Sequence, residues 1–432
     1  MNMNLRRTAI VFAVMVCFSF SFAQDSFDAD QKRLLLASFE EVWTTVKDRH
    51  YDPELGGLDW QAVYERYRPR IESSSSMDEG RNIMNEMLGL LKQTHIGVMP
   101  ANFFRDMQGG GNGNIPGIYT PGIVVRVLDG KAVVTRVETA FPADAAGVKP
   151  GWEILKIGGR EVAQIITRLE QNYSDSTLKC IRGASIIEGL LLGPPSTTVD
   201  VEFHDGGAVK ELRLERAEPK GARVTLGEMP ASHFWVETDS IKDGIKIIRF
   251  NLWFDPEAVT AAFSKIMAYS DNAKGFIIDL RGNGGGIAGM AMGAAGWFTS
   301  ERGLRLGTTI MRGTTLNFAV FPRANATNAP LAILIDGCSA STSEIFAGGM
   351  QDMKRARIFG TRSAGAALPS NIVRLPNGDG FQYIVANYIS EGGKQLEGFG
   401  VIPDEIVELT QRELLTGIDP VLNSAVAWIQ SH

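Results

Sequence analysis

Residues 331–335 read Leu-Ala-Ile-Leu-Ile, an apolar run with no alternation, closed by Asp336-Gly337. A strand without a polar side must be covered on both faces, which calls for a largely parallel sheet between helical layers. Two further strand-like runs, at 244–253 and 275–282, flank a helical pattern near 256–269. From residue 219 to the end the chain therefore reads as an α/β core, and such cores place their sites at the carboxyl ends of the strands.

The rest of the chain has other periods. Leu35, Phe39, Val42 and Val46 recur at helical spacing, as do Trp60, Val63, Tyr64 and Tyr67. Ser76 and Glu79 have the spacing of a capping box ahead of a third helix bearing Ile83, Met84, Met87 and Leu91. Residues 24–108 are thus expected to form a helical domain. The run GGGNGN at 109–114 reads as a joint. Beyond it the period falls to two: Ile123–Val127 and Ala132–Val137 flank Asp129-Gly130, a hairpin signal. A short helix at 143–146 and strands at 199–203 and 210–216 complete a β-rich module over 115–218. A chain of 432 residues is too long for one core, in keeping with this division.

Composition excludes several functions. The formal charge is −6, from 43 Lys and Arg against 49 Asp and Glu, without the basic runs that hold a phosphate backbone, so no nucleic-acid partner is expected. Three cysteines and five histidines, with no HExxH, leave neither a four-cysteine zinc site nor a zincin helix, and no metal is expected. The amino terminus reads as an export signal over 1–23: Arg6-Arg7, an apolar run from Thr8 to Phe22, then Ser21-Phe22-Ala23 ahead of cleavage. The mature chain is then expected outside the cytoplasm, periplasmic or secreted, with no membrane span. Cys180 and Cys338 remain in it, either paired or as two free thiols.

Two strand ends offer chemistry. The apolar strand runs into Cys338-Ser-Ala-Ser341-Thr-Ser343-Glu344, helical from Ser341 onward. There the unpaired amides and the helix dipole favour developing negative charge, with the Thr342 N–H beside it. Ser339, Ser341 and Ser343 equally suit plain helix capping. The strand 275–282 ends in Asp279-Leu-Arg-Gly-Asn-Gly284-Gly285-Gly286, whose glycines let backbone amides approach a ligand. Gly284, Gly286 and Gly289 also fit a dinucleotide pattern, but no acid stands at a strand end some 20 residues on. His95, between Thr94 and Ile96, ends the helical front. Spacing alone cannot bring it to Ser341.

Together these segments resemble the C-terminal processing (tail-specific) serine peptidases, in their tricorn-core and retinoid-binding-protein-like branch. GFIIDLRGNGGG, ILIDGCSASTSEIFAGGMQD and LEGFGVIPD (396–404) carry the resemblance in that order, and AFPADAAGVKPGWEILKIGG looks like part of a PDZ domain. The resemblance implies an α/β fold of several domains: an N-terminal helical bundle, a PDZ-like β-rich module and a crotonase-like peptidase core over 219–432. It implies Ser341 as nucleophile. The commoner branch takes its base from a lysine 25 residues on, with a glutamine four further, and here those positions hold Ala366 and Ser370; Lys354 lies on another segment. The tricorn-like branch instead uses a histidine preceded by a hydroxyl residue and a glutamate, which implies His95, Thr94 and Glu397. Amides of Gly285 or Gly284 and of Thr342 are then the expected oxyanion donors. The expectation is an exported endopeptidase without cofactor, acting on protein or peptide substrates whose C-termini the β module captures along TPGIVV at 120–125. The alternative is an inactive peptide-binding scaffold on the same fold.

Overall fold

The computed structural model describes residues 27–101, 118–173, 176–225, 231–241, 244–268 and 273–432. The leader at 1–23 and the glycine joint at 109–114 lie outside the described residues.

The helical front comprises α1 (Ala29–Arg49), α2 (Trp60–Ser73) and α3 (Met77–Gly89). Short side chains that accept from the first-turn amides start each helix. Asp28 and Gln31 form a full capping box, and Asp59 accepts from Ala62 N. Ser76 Oγ accepts from Glu79 N, but the Glu79 carboxylate turns to the amide and hydroxyl of Ser75. The expected box is therefore half formed. Leu35, Phe39, Val42, Tyr67, Met84 and Met87 bury one shared stripe.

A short strand, β1 (Gly97–Met99), follows. Asn85 on α3 brackets it, accepting from Val98 N (2.7 Å) and donating to Val98 O (3.0 Å).

The next unit is β2 (Ile123–Leu128), β3 (Lys131–Val137), α4 (Pro142–Ala145), β4 (Glu153–Ile157), β5 (Arg160–Glu161), α5 (Val162–Tyr173), α6 (Lys179–Leu191), β6 (Thr198–His204) and β7 (Val209–Glu215). Its antiparallel sheet runs β2-β3-β4-β6-β7, with β5 paired to β4. Val125, Val134, Ile154, Phe203 and Ile187 share a core of their own. Strand β2 is at the edge, yet α6 already covers it: Glu188 Oε1 accepts from Val125 N (2.8 Å) and Arg126 donates to Val125 O (2.8 Å). The row of amides expected to take up a peptide is thus interrupted by the protein itself.

The third unit comprises β8 (Ala222–Val224), β9 (Ser232–Phe234), β10 (Val236–Ile241), β11 (Ile245–Phe250), α7 (Pro256–Met267), β12 (Gly275–Asp279), α8 (Gly289–Ala295), β13 (Arg305–Met311), β14 (Thr314–Ala319), β15 (Leu331–Ile335), α9 (Thr342–Asp352), β16 (Arg357–Gly360), β17 (Ser370–Arg374), β18 (Gly380–Ile384), β19 (Ala386–Ser390), β20 (Glu405–Ile406), α10 (Gln411–Leu415) and α11 (Pro420–Gln430). Its main sheet has the order β10-β11-β12-β15-β16-β20, parallel except for β10 at the edge. Every residue of β12 and β15 is buried. Ile278 and Ile333 face a layer holding Phe263 and Phe346, whereas Ile277, Ala332 and Leu334 face Val421, Ala425 and Ile429 of α11. Two covered faces explain the unbroken apolar runs.

The hairpin β17–β18 leaves this core and pairs antiparallel with β1. Arg81 grips Asp379 beside the hairpin turn at 3.0 and 3.1 Å, and Asp379 also accepts from Ala101 N. This docking carries the end of the helical front, with Thr94 and His95, onto the α/β unit.

Candidate active site

The turn from β15 to α9 is pinned at its base. Asp336 accepts from Gly282 N (2.9 Å), Cys338 N (3.0 Å) and Arg126 Nε (2.8 Å). Ser339 Oγ donates to Leu280 O (2.7 Å), and Ser343 Oγ donates to Asn283 O (3.1 Å) while accepting from Trp253 Nε1 (3.0 Å). Both flanking serines are buried and committed to structure. Ser341 stands between them as the N-cap residue of α9, with φ +55° and ψ −116°, a region that non-glycine residues avoid. Holding it there costs about 1–3 kcal/mol, which the surrounding bonds must offset.

Those bonds converge on Glu344, one turn into α9 and fully buried. Its carboxylate accepts from Ser341 N (3.0 Å), Ser363 Oγ (2.6 Å), Gly365 N (2.7 Å) and Ala366 N (2.9 Å). Burial pushes its pKa up to about 7, against the pull of these four donors. Ser341 N also donates to Ala366 O (2.8 Å). Ala366, where the commoner branch has lysine, thus lies against the candidate nucleophile as a backbone support. Ser370 sits apart at the start of β17, bonded to Gln382, and Lys354 follows the far end of α9.

The candidate base side is assembled from two distant segments. Glu397 accepts from Thr94 N (2.7 Å) and Thr94 Oγ1 (2.9 Å), a pairing across 303 positions, and from Ala367 N (3.1 Å). Thr94 Oγ1 lies 2.8 Å from His95 Nδ1. Since the hydroxyl proton goes to Glu397, Nδ1 must be the donor in the second contact, which leaves the Nε2 lone pair free. His95 has φ +55° as well, and burial pushes its imidazole down to about 4. Burial also raises Glu397, while Thr94 and Ala367 pull it back. Upstream, Gln93 Oε1 meets His50 Nε2 (2.9 Å), fixing the start of the turn.

One peptide unit joins the halves. The carbonyl of Ala366 accepts from Ser341 N, and the N–H of Ala367, across the same amide, donates to Glu397. The fold therefore gathers Ser341, Thr94, His95 and Glu397 around the 366–367 peptide. Among the described residues no hydrogen bond joins His95 Nε2 to Ser341 Oγ.

The glycine strand end lies beside Ser341: a Cβ on Gly285 (φ +96°) would meet Ser341 Cβ at 2.6 Å and Thr342 N at 3.0 Å. Its own amide, however, donates to Asn283 Oδ1 (3.0 Å), so Gly285 is not a free donor as expected. Thr342 Oγ1 donates to Gly286 O (2.9 Å), which turns that glycine's polar edge toward α9. Gly284 is exposed, and the Thr342 amide stands next to Gly285.

Sequence reasoning passed over Glu344, Asn283 and Asp336. Ser341-x-x-Glu344 has capping-box spacing, a signal that was present; Asn283 and Asp336 each hold one amide two residues on, but their bonds to Phe250, and to Gly282 and Arg126, cross 33 to 210 positions and leave no local pattern. Among the described residues no group of three or more His, Cys, Asp or Glu side chains could hold a metal ion, and no helix is long and apolar enough to cross a membrane.

With the geometry in place, residues 244–407 match the family model for Peptidase family S41, and residues 36–89 match that for the Tricorn protease C1 domain. Carboxyl-terminal-processing peptidase 2, chloroplastic, of Arabidopsis thaliana is 27% identical over 376 residues, covering 85% of this chain and 67% of the relative. A carboxyl-terminal-processing protease of Synechocystis is 24% identical over 381 residues, covering 88% and 81%. Among solved structures, the photosystem II D1 C-terminal processing protease superposes with a TM-score of 0.58 at 21% identity, covering 90% of this chain and 97% of that one. Mature CPAF in complex with lactacystin gives 0.61 at 15% identity, covering 93% and 97%. These structural likenesses concern the fold.

Proposed function

We propose that this serine-type peptidase, whose residues 244–407 belong to Peptidase family S41, cleaves peptide bonds with Ser341 as nucleophile and His95, Thr94 and Glu397 as its base system. The observation that carries this reading is the directed chain from His95 Nδ1 through the Thr94 hydroxyl to Glu397, held by the same peptide unit that holds Ser341.

A serine hydroxyl needs a base within hydrogen-bond reach to attack a carbonyl at neutral pH. A His95 kept neutral by burial, with Nε2 bare, is suited to take the Ser341 proton and return it to the leaving amine. Glu397 then supports the imidazolium through Thr94, an arrangement in which the carboxylate orients the ring without touching it. Catalytic hydrogen bonds often tighten only when substrate is bound, and the reading requires His95 Nε2 to meet Ser341 Oγ at that stage. The Thr342 amide, at the first turn of α9, would stabilise the oxyanion together with that of Gly284.

The division into a helical domain (24–108), a PDZ-like domain (115–218) and a peptidase core (219–432) belongs to the same proposal, as does export by the leader at 1–23. Both relatives are named for carboxyl-terminal processing. By analogy, the β module presents substrate C-termini once Glu188 releases β2.

Labelling with a fluorophosphonate tests the reading. Wild type should take one label per chain, and Ser341→Ala and His95→Ala should take none. Persistent label in Ser341→Ala would overturn the choice of nucleophile. Absence of label in wild type, with and without peptide substrate, would favour the scaffold reading.

A further inference from the structure

Cys180, on α6, and Cys338, in the turn that leads to Ser341, lie 158 positions apart, and their sulfur atoms are 2.9 Å apart. The approach depends on Gly337: a Cβ there would stand 2.7 Å from Cys180 Cβ, so only glycine lets α6 rest on the turn. Arg126, which ties β2 to Asp336 at the root of the same turn, lies close enough to feel both sulfurs. Cys338 is buried, whereas Cys180 is half-buried and lines a cavity of about 320 Å³ with Arg126, Gly337 and Thr361. One thiol is reachable from solvent and the other waits directly behind it. That is the arrangement of an attacking and a resolving cysteine.

We propose that Cys180 and Cys338 form a redox-sensitive disulfide that fastens α6, and with it the edge strand β2, to the turn carrying Ser341, with a small-molecule disulfide as oxidant. The Cys180 thiolate attacks one sulfur of that disulfide; a new S–S bond forms, the old one breaks, and one thiolate departs with the electron pair. Cys338, giving up its proton, attacks the Cys180 sulfur and expels the second thiolate. Two cysteine thiols are oxidised, one disulfide is reduced to two thiols, and the two protons end on the departing thiolates. The sulfurs need to close by only about 1 Å, a shift that side-chain rotation supplies. The inference does not depend on the assignment of Ser341 as nucleophile.

The full chain, incubated native with oxidised glutathione and then alkylated, should yield on proteolysis a cross-linked peptide pair containing Cys180 and Cys338, two hydrogens lighter than the separate peptides. Dithiothreitol should reverse it. Oxidation should raise the thermal midpoint of wild type and leave that of Cys180→Ser and Cys338→Ala unchanged. Both cysteines alkylated after oxidation, or a glutathione adduct on Cys180 that never resolves, would overturn the proposal. So would a midpoint that rises equally in the variants.

Discussion

Glu344 and Glu397 are both buried carboxylates beside Ser341, yet they are built in opposite ways. Glu344 is local: it sits three residues after the serine and accepts from Ser341, Ser363, Gly365 and Ala366, all within the α/β unit. Glu397 spans two units, taking Thr94 from the helical front and Ala367 from the core. The proposed nucleophile side is therefore a property of one folded unit, while the proposed base side exists only while the hairpin β17–β18 keeps β1 docked. Substitutions should separate the two halves, with stability lost on one side and turnover on the other.

The largest effect should come from His95. Among the described residues its ring makes one side-chain hydrogen bond, to Thr94, so His95→Ala should lower kcat/KM about 10²–10⁴-fold, the span of a general base, with little change in thermal midpoint. Its titration sharpens the point. The unfolded chain binds a proton near 6.5, and the folded chain only near 4. The stability tied to this group is therefore complete above 6.5 and drains as pH falls toward 4, and the acid limb of kcat/KM should lie near 4. Glu344 has the opposite sign: raised from 4.5 to about 7, its term is complete below 4.5 and is lost as pH rises through 7. Denaturation midpoints across pH 4–8 in each alanine variant check both slopes.

Next comes Glu344→Ala, which strands the buried amides of Gly365 and Ala366 and the Ser363 hydroxyl. It should cost about 3–5 kcal/mol of stability, read in urea, because buried donors without partners lose their full solvation. Thr94→Val ranks third. It cuts the relay but keeps the shape, so kcat should fall about 10–100-fold with the midpoint held, and Thr94→Ser should restore it.

This ordering parallels what the sequence could reveal. The runs of β12 and β15 announced a sheet covered on both faces, since the local pattern records burial. Ser341 stood out because a strand, a turn and a helix start are consecutive in the chain. His95 and Glu397 lie 302 positions apart, and no period or spacing in the chain links them; only the resemblance named them as partners. The Gly285 amide, taken up by Asn283, shows a related limit. A glycine-rich loop shows that amides can approach a ligand, but not that Asn283, two residues earlier, turns its side chain back to occupy one. Side-chain-to-backbone bonds of this kind compete with any role read from loop composition.

The smallest predicted effect tests the β module, where the same competition recurs. Glu188 Oε1 occupies Val125 N, and Arg126 occupies Val125 O, so an incoming strand must displace a charged side chain before it can pair with β2. Burial raises Glu188 above the usual carboxylate range, with Arg126 and the Val125 amide opposing. Glu188→Ala removes the competitor and leaves the nucleophile turn untouched, since Asp336 keeps its own bond to Arg126. A released edge amide contributes about 0.5–1.5 kcal/mol to peptide binding, so affinity for an extended peptide should rise about 2–10-fold. Titration with a fluorescent peptide in a Ser341→Ala background measures this without turnover. Unchanged affinity would mean that substrates do not enter along β2, and that Glu188 holds the module to the core instead of guarding its edge.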